Sequence, residues 1–369
     1  MSTAARPLAG IRIVDLALLL PGPWATLMLS ELGADVVHVE PPGGDPLKAM
    51  MPGAYASVNR GKRVVELDLK SEPGRQALYA LVDTADVFVE GFRPGTADRL
   101  GCGPADMRRR NPRLVYCSLN GYGSSGPYAH HPGHDINYLA VAGVLFLSGD
   151  PGGPPQPGGG VPVADLTASL FTTQAILAAL MLRERGGVGS TIEVPIAAAA
   201  LKLLEPRIAE YDQGDAPSKA RLTSRGGYGA FECRDGRWIA VGCMEEHFWR
   251  RLCTSVDRPD LLDDPRFPDY AARRRLAAEV NAALAETFTR RTRAEWVRLL
   301  VAADVPATPV NQLHEIEDDP QIRHWDMVER LGAVRTVRLP YTGLGADAAH
   351  LPERHAMGTT PSTTAPERS

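Results

Sequence analysis

The stretch GIRIVDLALLLPGPWATLMLSELGADVVHVE, Gly10 to Glu40, decides the fold. GIRIVDLA reads as a strand, WATLMLSELG as a helix closed by Gly33, and ADVVHVE as a second strand. Strand, helix and strand in that order form a βαβ unit, with parallel strands and the helix across one face. KRVVELDL, GRQALYALVDT and ADVFVEGF repeat the rhythm, and LVYCSLNGYG adds a strand that runs into a glycine-rich turn. The expectation is an α/β fold with a Rossmann-like parallel sheet, and ligands collect beyond the carboxyl ends of such strands.

Further along, AHHPGHDINYLAVAGVL, Ala129 to Leu145, reads as a buried helix with His134 and Asp135 at its lip. GDPGGPPQPGGGVP is too rich in Gly and Pro for helix or strand and reads as a surface loop. Asp165 then opens a long helical pattern that closes near Gly186, with Arg183 and Arg185 in the last turn. TIEVPI reads as a strand, and a helix over about Ala197 to Tyr211 leads outward. GGYGAFECRDGRWIAVGC reads as a hairpin turning at Arg234 to Gly236, followed by arginine-rich helices.

The expected organisation is a large domain over residues 1–200, completed by about 331–355. A linker over 201–222, a small α+β domain over 223–320 and a return linker over 321–330 lie between, and the tail 356–369 reads as disordered.

Composition narrows the function. The chain has 369 residues, 44% hydrophobic and 23% charged, and a formal net charge of −4, which disfavours a nucleic-acid partner. Asp15, Pro21 and Pro23 interrupt the N-terminal apolar run, and no window reads as an uninterrupted membrane span, so a cytoplasmic protein without a membrane partner is expected. The five cysteines show no CxxC spacing, which suggests neither a metal site nor a disulfide framework.

The motifs LAGIRIVDL with PGPWA, LGADVVHVE, NRGKR with ELDLKS, ADVFVEGFRPG, GYGSSGP, GHDINYLAVAGVL, ADLTASL, DGRWIAVGCMEEHFW and ATPVN occur in that order. Together they resemble the class III CoA-transferase and α-methylacyl-CoA racemase superfamily, the CaiB/BaiF-like proteins, to about Pro340. The resemblance implies a Rossmann-like large domain, a smaller domain and an interlocked homodimer. It also implies an acyl-CoA thioester substrate, coenzyme A being part of that substrate, and no prosthetic group.

Within this superfamily, racemase-like members carry GHD where this chain has His134, and transferase-like members usually carry another residue. The resemblance makes His134 and Asp165 the two bases of an α-carbon racemase or epimerase, working through an enolate on a 2-methylacyl-CoA. Glu245 becomes the carboxylate that orients His134, with Glu246 as its neighbouring alternative. Two bases suit inversion because one removes the α-proton while the other returns one to the opposite face. Backbone N–H groups in the first turn after Asp135 or Asp165 are the expected oxyanion site.

The alternative is a CoA-transferase in which Asp165 is the nucleophile that becomes an aspartyl-CoA anhydride. A CoA-binding protein without catalysis is a third reading. Each residue also has a plainer one: aspartates at helix starts are favoured N-caps, and Glu245 sits where a helix dipole favours acid.

The resemblance further implies CoA-binding positions at His38, Arg60, Lys62, Arg63 and Arg93. His38 departs from the usual Arg or Lys there, and Arg225 in LTSRGGYGAF stands in an unusual place.

Overall fold

A computed structural model describes residues 6–158, 160–211, 218–332 and 334–341 of the chain. Its described residues fall into two compact units: those up to Ala142, within Gly158–Leu203 and from Met327 on, and those within Gly143–Pro157 and Leu204–Asp326. The segment 143–157 therefore clusters with the second unit, although the sequence reads as continuous with the first. The expected tail lies outside the described residues.

The first unit is built on six parallel strands: β1 (Arg12–Asp15), β2 (Asp35–Glu40), β3 (Arg63–Glu66), β4 (Val87–Glu90), β5 (Val115–Asn120) and β6 (Thr191–Pro195). Their order is β3-β2-β1-β4-β5-β6. The chain proceeds outward from β1 through β2 to β3, then returns to β1's other side with β4. This reversal opens a crevice at the carboxyl ends of β1 and β4, the switch point of a doubly wound sheet. Val14, Val37, Leu78, Phe88 and Tyr116 pack one face of the sheet.

Pro21–Glu31 forms the first helix, with prolines in its opening turn, where no intrahelical N–H is needed. Gly33 follows with φ +107°, a conformation that glycine supplies without steric cost. Two short helices, Leu47–Met50 and Pro52–Val58, occupy a region the periodicity left unassigned. Asp135–Val141 is shorter and less buried than its sequence suggests, with Tyr138 and Leu139 enclosed but Ile136 and Val141 exposed.

The long helix runs Val163–Gly186, beginning two residues before Asp165, and ends at Gly187 with φ +74°. By length and composition it is apolar enough to cross a membrane. Its buried face nevertheless carries hydroxyls that bind another helix. Ser169 Oγ donates to the Pro21 carbonyl at 2.6 Å, and Thr173 Oγ1 to that of Ala25 at 3.3 Å. Arg183 is ion-paired with Asp86 at 2.8 Å. These contacts make it a core helix of this unit.

The expected outgoing helix is two pieces, Ile196–Leu203 and Glu205–Tyr211, broken at Leu204, with Pro206 in the first turn of the second, where proline is tolerated. The strand expected from GAVRTVRLP is β11 (Val334–Val337), which pairs antiparallel with β10 (Val328–Leu331).

In the second unit, β7 (Tyr228–Glu232), β8 (Trp238–Gly242) and β9 (Ala307–Pro309) form an antiparallel sheet. Gly236, with φ +69°, makes the hairpin turn. Helices Glu246–Ser255, Ala277–Phe288 and Arg293–Ala302 cover it, and their core includes Phe231, Trp249, Phe288 and Trp296.

Candidate active site

Beyond the carboxyl ends of β1, β4 and β5 lies a cavity of about 590 Å³. Ala17–Leu19 after β1, Gly91–Pro94 after β4 and Leu119–Tyr122 at the end of β5 line it, together with His131–His134, Tyr138 and Asp165. His134, Asp165 and Arg93, far apart in sequence, thus face one space. Tyr138 fills one wall, its hydroxyl donating to the Gly133 carbonyl at 2.8 Å and its ring edge-on to Tyr122.

Asp165 occupies the first turn of the long helix. Burial, then the negative charge of Asp135, raises its carboxyl to about 7. A helix N-terminus normally favours a carboxylate, so enclosure and like charge outweigh the dipole here. The group is therefore poised near neutrality between acid and base.

Asp135 has a specific partner. Its Oδ1 accepts the Ala164 N–H at 2.7 Å and the Asp165 N–H at 3.1 Å. It caps the long helix rather than its own, while His134 precedes Asp135–Val141 and its N–H donates to Asn137 Oδ1 at 3.0 Å. The expected oxyanion site in the first turn of the long helix is correspondingly altered: the Ala164 and Asp165 N–H groups are engaged, and Leu166 donates to the Pro162 carbonyl. His134 itself is exposed on the cavity rim.

The expected CoA-binding cations separate into two groups. Arg93 lines the cavity and is exposed, and Arg63 is exposed at the start of β3. The side chains of His38, Arg60 and Lys62 turn inward. Arg60 is bound to Glu31 and to the Val337 and Ser57 carbonyls. Lys62 donates to the Pro23 carbonyl at 2.7 Å, Asn59 Oδ1 at 2.9 Å and Asp15 at 3.3 Å. His38 lies on the second strand with no exposed surface. A buried cation is favoured beside a carboxylate, and each of these three has one.

Glu245 lies in the second unit, exposed, at the N-cap of Glu246–Ser255. Glu246 is engaged by the buried Arg273 at 2.8 Å, so it is not a free alternative to Glu245. Arg225 sits 5.1 Å from the Tyr228 ring centroid, a cation–π contact. The five cysteines are buried thiols, and the described residues contain no group of three or more His, Cys, Asp or Glu able to hold a metal.

Sequence reasoning missed Tyr138 and the loop Ala17–Leu19. The first had a signal in its spacing from GHD. The second had none, because it becomes a wall only when β1 and β4 pair.

A doubly wound sheet with a partly neutralised carboxylate at its switch point defines a ligand-binding α/β enzyme. The comparisons take this further: the CoA-transferase family III model matches residues 8–364, and the chain belongs to that family.

The chain is 34% identical to the acetyl-CoA:oxalate CoA-transferase of Acetobacter aceti, over 93% of this chain and 91% of that one. It is also 34% identical to the succinyl-CoA:mesaconate CoA-transferase of Haloarcula hispanica, covering 86% and 84%. Among solved structures, a CaiB/BaiF family protein from Brucella suis superposes with a TM-score of 0.82 at 31% identity, covering 91% and 92%. The Acetobacter and Haloarcula relatives are named as transferases. They favour the transferase alternative over the racemase expectation that rested on His134.

Proposed function

We propose that the protein transfers CoA from an acyl-CoA to a carboxylic acid, with Asp165 as the nucleophile. The observation that carries this is the Asp165 carboxylate, raised to about 7 inside the cavity. A carboxylate of raised basicity is the stronger nucleophile, and near neutral pH much of it is ionised.

Asp165 attacks the thioester carbonyl of the donor and expels the CoA thiolate, forming a mixed anhydride. The thiolate attacks the Asp165 carbonyl, releasing the donor acid and leaving an aspartyl-CoA thioester. The acceptor carboxylate then attacks that thioester, again expelling the thiolate to give a second anhydride. Thiolate attack on the acceptor's carbonyl completes the new acyl-CoA and restores Asp165. Atoms balance without a metal or redox partner.

Arg93, exposed in the same cavity, supplies a cation for anionic parts of the substrates. A second hollow of about 410 Å³, lined by Leu16, Val39, Leu67, Leu69, Phe92 and Leu100 with Lys70 at its edge, suits a nucleotide base. We also infer a homodimer. Leu170, Met181 and Leu182 of the long helix are more than half exposed, which supports a partner surface there.

The test is incubation with acetyl-CoA or succinyl-CoA and an acceptor dicarboxylate, with hydroxylamine trapping and peptide mass spectrometry. Modification of Asp165 together with transfer is expected, and Asp165→Ala should lose both by at least about 10³-fold. Transfer that survives in Asp165→Ala overturns the assignment.

One observation favours a second reading: His134 and Asp165 line one cavity, as two-base inversion requires. Incorporation of α-deuterium from D₂O with inversion of a 2-methylacyl-CoA would support that reading in place of transfer.

A further inference from the structure

Ala17–Leu19 forms a wall of the cavity, yet Leu19 has φ +66°, a region that bulky side chains rarely adopt. Something must hold this backbone, and two buried carboxylates do. Asp15 Oδ1 accepts the Ala17 N–H at 3.0 Å. Asp45 accepts the Leu19 N–H through both oxygens, at 3.2 and 3.0 Å, and the Leu47 N–H at 2.8 Å.

Between these carboxylates stands His38. Nδ1 is 3.5 Å from Asp15 Oδ2, and Nε2 is 3.8 Å from Asp45 Oδ2 and 3.7 Å from Glu40 Oε1. These are ion-pair separations rather than hydrogen bonds, and neither imidazole nitrogen has a hydrogen-bond partner among the described residues.

The other charged groups around it are few. Lys62 reaches Asp15 at 3.3 Å, Lys48 pairs with Glu40, the Tyr55 hydroxyl donates to Glu40 at 2.6 Å, and Arg60 nearby is already neutralised by Glu31. The carboxylates Asp15, Glu40 and Asp45 thus face Lys48 and Lys62, and only a protonated His38 makes the cluster neutral. An unbalanced charge at such depth is strongly unfavourable.

We propose that His38 is a positioning residue for this enzyme: as an imidazolium between Asp15 and Asp45 it holds the two carboxylates that fix Ala17–Leu19 against the Asp165 cavity. Its connection to CoA transfer rests on the function proposed above, whereas its hold on the loop does not. Burial opposes the charged ring, and the Asp15 and Asp45 carboxylates overcome it, holding His38 protonated up to about 9. Burial likewise pulls Lys62 down to about 8. The cluster therefore loses positive charge as pH rises above about 8, and the loop loosens.

The experiment is acetyl-CoA binding by calorimetry between pH 7 and pH 10 for the unsubstituted protein, His38→Gln and His38→Lys. Acetyl-CoA does not titrate in that interval. Expected results are an affinity loss of about tenfold toward pH 10 in the unsubstituted protein, equivalent to about 1.4 kcal/mol. His38→Gln should bind at least tenfold more weakly at pH 7 and lose clearly less affinity toward pH 10 than the unsubstituted protein, the remaining loss being that of Lys62, and His38→Lys should recover most of the pH 7 affinity.

Unchanged affinity in His38→Gln, or the same alkaline loss persisting in it, overturns the proposal. If His38→Gln fails to fold, or acetyl-CoA does not bind, amide exchange at Ala17–Leu19 in the unsubstituted protein decides. Protection corrected for base catalysis should fall about tenfold from pH 7 to pH 10, and constant protection overturns the proposal. Absence of transfer by the unsubstituted protein would remove the transferase reading alone.

Discussion

The Asp135 carboxylate caps the helix that carries Asp165, accepting the N–H of Asp165 itself at 3.1 Å and that of Ala164 at 2.7 Å. One contact thereby does two things: it satisfies helix donors, and it sets a negative charge beside the nucleophile. The first effect anchors the helix start and the second raises Asp165. Asp135→Asn retains an acceptor oxygen but removes the charge. The acid limb of the rate profile should move to lower pH by up to about 1 unit, while the cap, which asparagine makes about as well, should change stability little. A pH profile of kcat/KM and a thermal melt measure the two effects separately.

Asp165 also links stability to pH. Its carboxyl titrates near 3.8 when free and is raised to about 7 in the folded chain. A group whose folded value is raised gives stability that is full below its unfolded value and lost as pH rises through the folded one. Asp165→Asn has no such loss. It should be more stable than the unsubstituted protein at pH 8 by about 2–3 kcal/mol, with the difference narrowing toward pH 4. Urea unfolding across that interval reads the trend, and a constant difference would contradict it.

Gly22 stands where a side chain would meet the cavity wall. A Cβ there would lie 2.1 Å from Ala17 Cβ, closer than atoms can approach, so either the loop or the Pro21–Glu31 helix would shift. Both residues line the cavity. Gly22→Ala should lower kcat/KM at least tenfold, about 1.4 kcal/mol, while circular dichroism remains that of the folded protein.

In the second unit, Trp296 is buried, donates from Nε1 to the Phe288 carbonyl at 2.8 Å and lies edge-on to the Phe288 ring. Trp296→Ala should destabilise this unit by about 3–5 kcal/mol through the cavity it leaves. Limited proteolysis and the urea midpoint should register the loss.

Much of the architecture was legible in the chain. The β-branched runs of Gly10–Glu40 on either side of a longer Leu- and Met-rich segment closed by Gly33 placed β1, a helix and β2. ArgAspGly at 234–236 marked the hairpin, and Asp165 stood near a helix start. The split of the outgoing helix and the two short helices after β2 were missed, since short elements carry too few apolar repeats to register.

The sequence by itself determined the strand and helix succession, and therefore the parallel sheet and its carboxyl-end crevice. Only the tertiary structure decided which charged residues face that crevice. The motifs that hold His38, Arg60 and Lys62 do not show that Asp15, Glu31 and Asp45 draw them inward from other elements. Asp135 likewise finds its donors 29 and 30 residues downstream. Local periodicity records which face of an element is apolar. The partner of a buried charge is chosen by distance in space, and that exists only once the sheet has closed around it.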